Sequence, residues 1–507
     1  MSDINSARGS SSETGRIRKI VIVGRDEALW LAAGTLKTSF SHTGLEIVAV
    51  ELPSLVRSVD VTPTLPTQSV FHAKLGIQEA AMMAVTQGTY SLGQRFANFA
   101  NARPAFMQGY GSCGTAINLV PFHNYWIKAR GLGLKAEFED FSLNAVAARQ
   151  GRFFRPDAET DKLAECDYAY HLSAGAYCQV LKQVALKRGV HHVQAARLCE
   201  VSHAPENGHI TTISLSNGET MSGDLFIDAT GADSLLLGGA LEIGFESWQH
   251  WFPCDRLLSA SAPALAPLPS FSQVSAFRSG WVAQFPLRDR TGIRQVYSSA
   301  EMDERAALES AVVVTSTRFG TDSVVTPYAA GRRQVPWSGN CVAIGEAAAV
   351  FDPIDNVGIQ IIMTGLAHLT SLIPLDNDMT AERKVYNLNV VSTFERIRDY
   401  QMCRYKLNRR FDQPLWDHCR DMTVPDLLAH KIELFAARGH LVEYNDETFI
   451  DYDWWSMFLG HGLIPKAYDP LADQTPDGEI IQRFQGILGA IKNRIMWMKP
   501  MEAYLPS

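Results

Sequence analysis

The sequence predicts an α/β protein, and three observations carry that expectation. An uninterrupted apolar run, KIVIV (19–23), ends in Gly24 and is followed by the helix-permissive EALWLAAGTL and a second apolar run, LEIVAVEL (45–52). Two further buried-strand patterns, Gly223 to Gly231 (GDLFIDATG) and Asn340 to Gly345 (NCVAIG), also end in glycine-containing loops. Continuous β-branched runs of this kind are strands covered on both faces, as in a parallel sheet flanked by helices.

The first of these segments is a βαβ unit. In such units a G-x-G-x-x-G turn allows close backbone approach, and the helix N-terminus accepts a dinucleotide pyrophosphate. Here the turn reads Gly24-Arg25-Asp26-Glu27-Ala28-Leu29, so only the first glycine is present. Glu51, at the end of the second strand, stands where an acid would hold ribose hydroxyls. Two carboxylates at a helix N-terminus meet its dipole and free amides, so Asp26 or Glu27 is expected to cap the helix and fill the anion site. Arg25 could instead meet a phosphate.

The chain has 507 residues, 46% hydrophobic and 20% charged, enough for a large core divided into two or three lobes. A net charge of −8 argues against a nucleic-acid or anionic-membrane surface, which would need a basic face. The eight cysteines show no C-x-x-C spacing, which points to reduced thiols and to no metal site. Residues 1–17 are Ser/Gly-rich and read as disordered, with no signal-peptide core. No stretch reaches the ~18 apolar residues of a membrane span, so a cytoplasmic location is expected.

In order along the chain, VDVTPTLPTQ (59–68) is a Pro/Thr loop, followed by a helical run continuing through GTYSLGQRFANF (88–99). Residues 110–133 leave the first sheet, and 169–189 read as a helix. A β-meander follows, with Ser216-Asn217-Gly218 as its sharpest turn. Residues 245–300 are β-rich, and 376–507 have helical spacing. Within that region, 383–410 reads as one amphipathic helix with a solvated face. Trp454-Trp455 could line an aromatic pocket but read more readily as core, and His191-His192 as a solvent-facing strand end.

Taken together, LGIQEA, GTYSLGQRF, YGS with FHNYW, GDLFIDATG, FPCDRLL, NCVAIG and GHGLIPKAYDPLAD resemble the flavin-dependent tryptophan halogenase family over nearly the whole chain. The resemblance implies a Rossmann-like FAD-binding domain of the flavoprotein monooxygenase type, with a β-sheet substrate region and a largely α-helical C-terminal lobe. By this division, 18–110, 165–240 and 325–375 form the FAD-binding part. Residues 111–164, 241–324 and 376–507 form the substrate part.

The family's activity implies reduced FAD from a separate flavin reductase, oxygen, and oxidation of halide to hypohalous acid. The acid reaches a lysine beside an aromatic substrate such as an indole. Several family positions are changed here. Ser91 stands at the lysine position, and serine has neither amine nor positive charge. Asp355 stands at the glutamate position of the loop Phe351 to Gly358, with Asn356, Val357 and Gly358 beside it. Thr64 lies in the loop along the flavin, whose glycine and acid are gone, and Trp281-Val282-Ala283-Gln284-Phe285-Pro286 replaces W-x-W-x-I-P.

Thr230 and Gly231, with Glu346, are expected to face the flavin, and Trp455 the substrate. FAD is thus expected from the family with a weakened or lost site, and halide use is left open, as is a homodimer. The alternative is a non-catalytic paralogue serving as a binding or partner protein.

Overall fold

In the computed structural model, which describes residues 17–100, 103–160 and 163–506, the strand Lys19–Gly24 lies inside a six-stranded sheet. Glu46–Glu51 and Leu225–Ala229 flank it, both parallel, with His191–Gln194 and Cys341–Ala343 outside them, also parallel. Trp337–Ser338 closes one edge antiparallel. Residues 20 to 23 are fully buried, as the unbroken apolar run requires, because the helices Asp26–Ser39, Ala174–Lys187 and Gly358–Ser371 cover this core. The expected disorder of residues 1–17 falls mostly outside the described residues, while Ile17 is buried in the core.

The meander is split between two sheets. Leu198–His203, Ile210–Leu215 and Thr220–Ser222 form their own antiparallel sheet, turned at Asn217-Gly218, and the segments before and after it join the parallel sheet. The β-rich middle is a seven-stranded sheet in the order Val324–Pro327, Arg256–Pro263, Arg290–Tyr297, Gly280–Pro286, Ser272–Phe277, Gly93–Ala97, Phe106–Gly109. Gly93–Ala97 joins it parallel to Ser272–Phe277. Thr89–Ser91 belongs to a third sheet with Ala169–Ser173 and Val61–Pro63.

Several local expectations are corrected. The helical run ends at Val85, and 89–91 and 93–97 are strands, because Tyr90, Leu92 and Phe96 pack into a shared core that a sheet reaches. The 169–189 segment begins as a strand, and its helix is Ala174–Lys187. The Pro/Thr loop contains the short strand Val61–Pro63.

The helix Thr380–Lys406 is amphipathic only in its first half, since Ile397 to Tyr405 are buried all round. Its charged residues there are paired, as Arg398 with Asp399 and Arg404 with Asp355. Further helices, Pro414–Asp421, Asp426–Arg438, Asp451–Gly460 and Asp477–Met496, complete the C-terminal region. Among the described residues no helix is long and apolar enough to cross a membrane, and no group of three or more potential ligands gathers to hold a metal.

Candidate functional site

The carboxyl ends of the central strands bring the glycine loops together. A Cβ on Gly24 would stand 2.5 Å from the Ala229 carbonyl oxygen, so glycine is required where these strands approach. The Arg25 amide donates to that same carbonyl at 3.2 Å. Asp26 has φ +54, the left-handed backbone that a glycine would adopt without strain.

Its side chain does not cap the helix. One carboxylate oxygen accepts from Ser54 Oγ at 2.5 Å, and the other from the Leu55 amide at 2.9 Å. Arg25 occupies the N-cap position without a side-chain capping bond and pairs with Asp233 at 3.5 Å. Expected capping by Asp26 is thereby corrected: with φ positive, its carboxylate is turned to the 54–55 loop. Glu27 accepts from Thr62 Oγ1 at 2.6 Å, and burial raises its pKa. Leu29 is packed in the core at the position of the third glycine.

Glu51 lines a cavity of ≈ 190 Å³ together with Asp26, Trp30, Ser54, Arg57 and Gln179. Its Oε2 accepts from Lys182 Nζ at 2.7 Å and from His192 Nε2 at 2.8 Å. The expectation of a solvent-facing His191-His192 end is corrected for His192, whose Nε2 is held by the acid of the next strand.

Asp228 organises the loop after its strand, accepting from the Thr230 amide and hydroxyl and from the amides of Leu236 and Leu237. Thr230 is spent inside that turn, since its hydroxyl also accepts from the Leu235 amide. Thr64 is likewise internal, paired through amide and hydroxyl with Tyr170. Gly231 faces Glu346, whose Oε2 lies 4.0 Å from where a Cβ would stand. Glu346 is open to water yet walled by protein, so burial raises its pKa while nearby Arg294 opposes the rise.

A second, enclosed set of residues lies at the loop before the helix Gly358–Ser371. Ser91 is buried, and its hydroxyl donates to the Gly93 carbonyl at 2.9 Å. Asp355 Oδ1 accepts from Arg404 Nε at 3.1 Å and Nη2 at 2.8 Å. Arg404 is 0% exposed, its guanidinium carbon lies 3.8 Å from the Phe96 ring centre, and Nη2 also donates to Gln108 Oε1 at 2.6 Å. Burial raises the Asp355 pKa and Arg404 lowers it. Tyr110 lies beside Asn356, Ser91 and Asp355. Val357 precedes the helix, and Gly358 opens on space, with nothing within 4 Å of an added Cβ. Lys74 is exposed at the end of a short helix.

The W-x-W-x-I-P counterpart is dispersed. Trp281 is core, its indole donating to Tyr405 Oη, which in turn donates to Asp352. Phe285 packs on Arg294, and the Pro286 carbonyl accepts from Thr89 Oγ1. Trp455 packs at a tilt against His123, ring centres 4.3 Å apart, and Trp454 is buried. Arg404, Tyr110, Gln108 and Arg294 were not legible as site residues. None of them carried a signal in the sequence, Arg404 lying in a charged helical stretch with Gln401 and Asn408 as its helix neighbours.

Residues 19–477 match the model of the tryptophan halogenase family. The tryptophan 7-halogenase KtzQ of Kutzneria sp. (strain 744) is 26% identical over 535 residues, covering 97% of this chain and 98% of that protein. BrvH, a flavin-dependent halogenase from Brevundimonas sp. BAL3, superposes with a TM-score of 0.92 at 33% identity, covering 97% of this chain and 99% of its own. Xcc4156, a flavin-dependent halogenase from Xanthomonas campestris, does so with a TM-score of 0.91 at 30% identity and the same coverage. With the parallel sheet, the converging glycine loops and a family match across most of its length, this chain belongs to the tryptophan halogenase family.

Proposed function

We propose that this chain is a flavin-dependent, tryptophan-halogenase-like oxidoreductase acting on an aromatic small molecule, with halogen transfer through the family lysine lost. Ser91 carries this reading. Hypohalous acid is a small neutral molecule that needs a positioned cation or amine, and the Ser91 hydroxyl is turned to the Gly93 carbonyl. The buried cation of the chamber, Arg404, is committed to Asp355.

FAD fits the crevice at both ends and is opposed in its middle. Glu51 would hold ribose hydroxyls beside the cavity it lines, and the Gly358 helix N-terminus, open to space, would aim its amides at the ring. Between them Asp26 and Glu27 put carboxylates where a diphosphate would lie, which weakens binding by like charge. When bound, reduced FAD from a separate reductase would supply the oxygen chemistry. The chain's own residues bind and orient: Glu346 and Arg294 wall the recess beside Gly231, and Asp355, held by Arg404, fixes the floor of the chamber. In this reading 18–110, 165–240 and 325–375 serve the flavin, and 111–164, 241–324 and 376–507 the substrate.

The test supplies a reductase, FAD, NADH, chloride or bromide, and a panel of indoles to the protein and to Ser91→Lys. Flavin-dependent oxygen consumption is expected, with halotryptophan at least 10²-fold below a lysine-bearing relative, the usual loss for one transition-state donor. Regioselective halotryptophan from the unaltered protein would overturn the proposal.

One observation favours a second reading, the non-catalytic paralogue: both carboxylates of the fingerprint turn are already bonded within the chain. A visible spectrum that does not change on FAD titration would select it.

A further inference from the structure

We propose that a second ligand site lies along the helix Thr380–Lys406, an open cavity that takes a monocarboxylate with an apolar body, its carboxylate on Arg396 and its body against Leu388 and Tyr444. This goes beyond the reading above and needs no flavin, since none of the residues that line the cavity belongs to the crevice or to the chamber.

The cavity has a volume of ≈ 670 Å³, within the range of small-molecule sites, and two segments build it. Leu388, Asn389, Ser392 and Arg396 recur at helical spacing along one face of Thr380–Lys406. Tyr444, Asn445 and Asp446 line it from the chain between the helices Asp426–Arg438 and Asp451–Gly460.

Arg396 is the group that points to a ligand. Its side chain is 14% exposed, yet among the described residues its single hydrogen bond runs from Nη1 to Asp399 Oδ2 at 3.3 Å, and Nε has no partner. Asp399 does not serve it fully, because its other carboxylate oxygen accepts from Arg398 Nε and Nη2 at 3.0 and 2.7 Å. The neighbouring acids are also engaged, Glu395 by Arg332 and Glu447 by Lys431. A guanidinium largely withdrawn from water with one long hydrogen bond costs stability, and an acceptor entering the cavity offsets that cost.

The walls define the class of ligand. The Arg396 guanidinium carbon lies 5.2 Å from the centre of the Tyr444 ring, whose hydroxyl donates to the Leu427 carbonyl at 3.1 Å. Ring and guanidinium thus hold each other in place, and the planar fork remains for a carboxylate. Asn389, Ser392 and Asn445 bring uncharged donors to the same cavity. Leu388 is 71% exposed, an apolar surface that the body of a ligand would remove from water. One cation suits one negative charge, because Asp446, exposed in the same wall, opposes a dianion.

Naphthalene-2-carboxylate, naphthalene-2-carboxamide and naphthalene-2-carboxamidine share one body and differ in the charge of the edge. In calorimetric titrations of the full chain without flavin, the carboxylate is expected to bind at least about tenfold tighter than the other two. Arg396→Gln should remove that preference, weakening the carboxylate by at least about tenfold while the carboxamide stays within about twofold. Ser392→Phe fills the cavity with Arg396 in place and should weaken the carboxylate by a similar factor, so it carries the test if the first variant fails to fold. Equal or tighter binding of the carboxamide or carboxamidine, no carboxylate binding at millimolar concentration, or affinity unmoved in the folded variants would overturn the proposal.

Discussion

The crevice at the strand ends and the chamber before the helix Gly358–Ser371 have both departed from the family pattern, but in opposite ways. In the crevice the carboxylates are bonded within the chain: Asp26 to Ser54 and Leu55, Glu27 to Thr62, Glu51 to Lys182 and His192. In the chamber the buried pair remains short of partners, at Asp355 Oδ2 and Arg404 Nη1. The difference teaches where the chain has turned ligand-facing residues into structure and where it has kept them available. A closed network stabilises the fold and resists a ligand, while an open one costs stability until a ligand completes it.

The sharpest way to break this contrast is to remove a partner from the chamber's buried pair. Arg404→Met leaves Asp355 uncompensated and is expected to cost ~3–5 kcal/mol in denaturant unfolding, while Arg404→Met with Asp355→Leu recovers much of it. A single variant that unfolds like the parent would mean that the pair is not dry.

The next effect is smaller and lies in the crevice. Replacing Asp26 by Gly and Glu27 by Thr should strengthen FAD binding by about tenfold or more, ~1.4 kcal/mol, in flavin fluorescence titrations. Tight binding by the parent, unchanged in this variant, would show that the carboxylates do not oppose the diphosphate.

A third test concerns Asp352, fully buried between Tyr405 and Tyr328, whose pKa burial raises to about 7. The fold binds this proton more tightly than the unfolded chain does, so the contribution is full below the unfolded value of about 3.9 and is lost progressively as pH rises to about 7. Asp352→Asn should therefore shrink the stability difference between pH 6 and pH 8 by ~1.4 kcal/mol, the buried histidines contributing equally to both proteins. An unchanged difference would place the proton elsewhere.

The smallest stability effect is expected from Gly358→Ala. With nothing within 4 Å of the added Cβ, stability should stay within ~0.5 kcal/mol while flavin affinity falls. Unchanged affinity would move the ring away from this helix end.

The parallel sheet was legible because its strands are covered on both faces, which writes their burial into an unbroken apolar run. The Gly24 turn and the hairpin at Asn217-Gly218 were legible for a similar reason, since each needs a particular residue at a particular backbone angle. What could not be read was contact across sequence distance. Asp26 was expected at its own helix end, and only the fold brings Ser54 and Leu55 to it. Arg404 was expected on a solvated face because its pattern is polar, whereas burial is decided by Asp355, 49 residues earlier in the chain. The strands at 89–97 were misassigned because short elements take their conformation from the partner strand and not from their own propensity.

One feature of the fold constrains how anything enters the chamber. Ser91 ends a strand of one sheet, and two residues later Gly93–Ala97 is stitched between Ser272–Phe277 and Phe106–Gly109 of another. Ser91 therefore sits on a seam between two sheets, held by backbone ladders on both sides. Rotation of one sheet against the other at this point would tear those ladders row by row. Exchange with solvent there must instead proceed by local side-chain motion, so its rate should respond to substitutions of the side chains packed around Ser91 more than to changes at the outer edges of the two sheets.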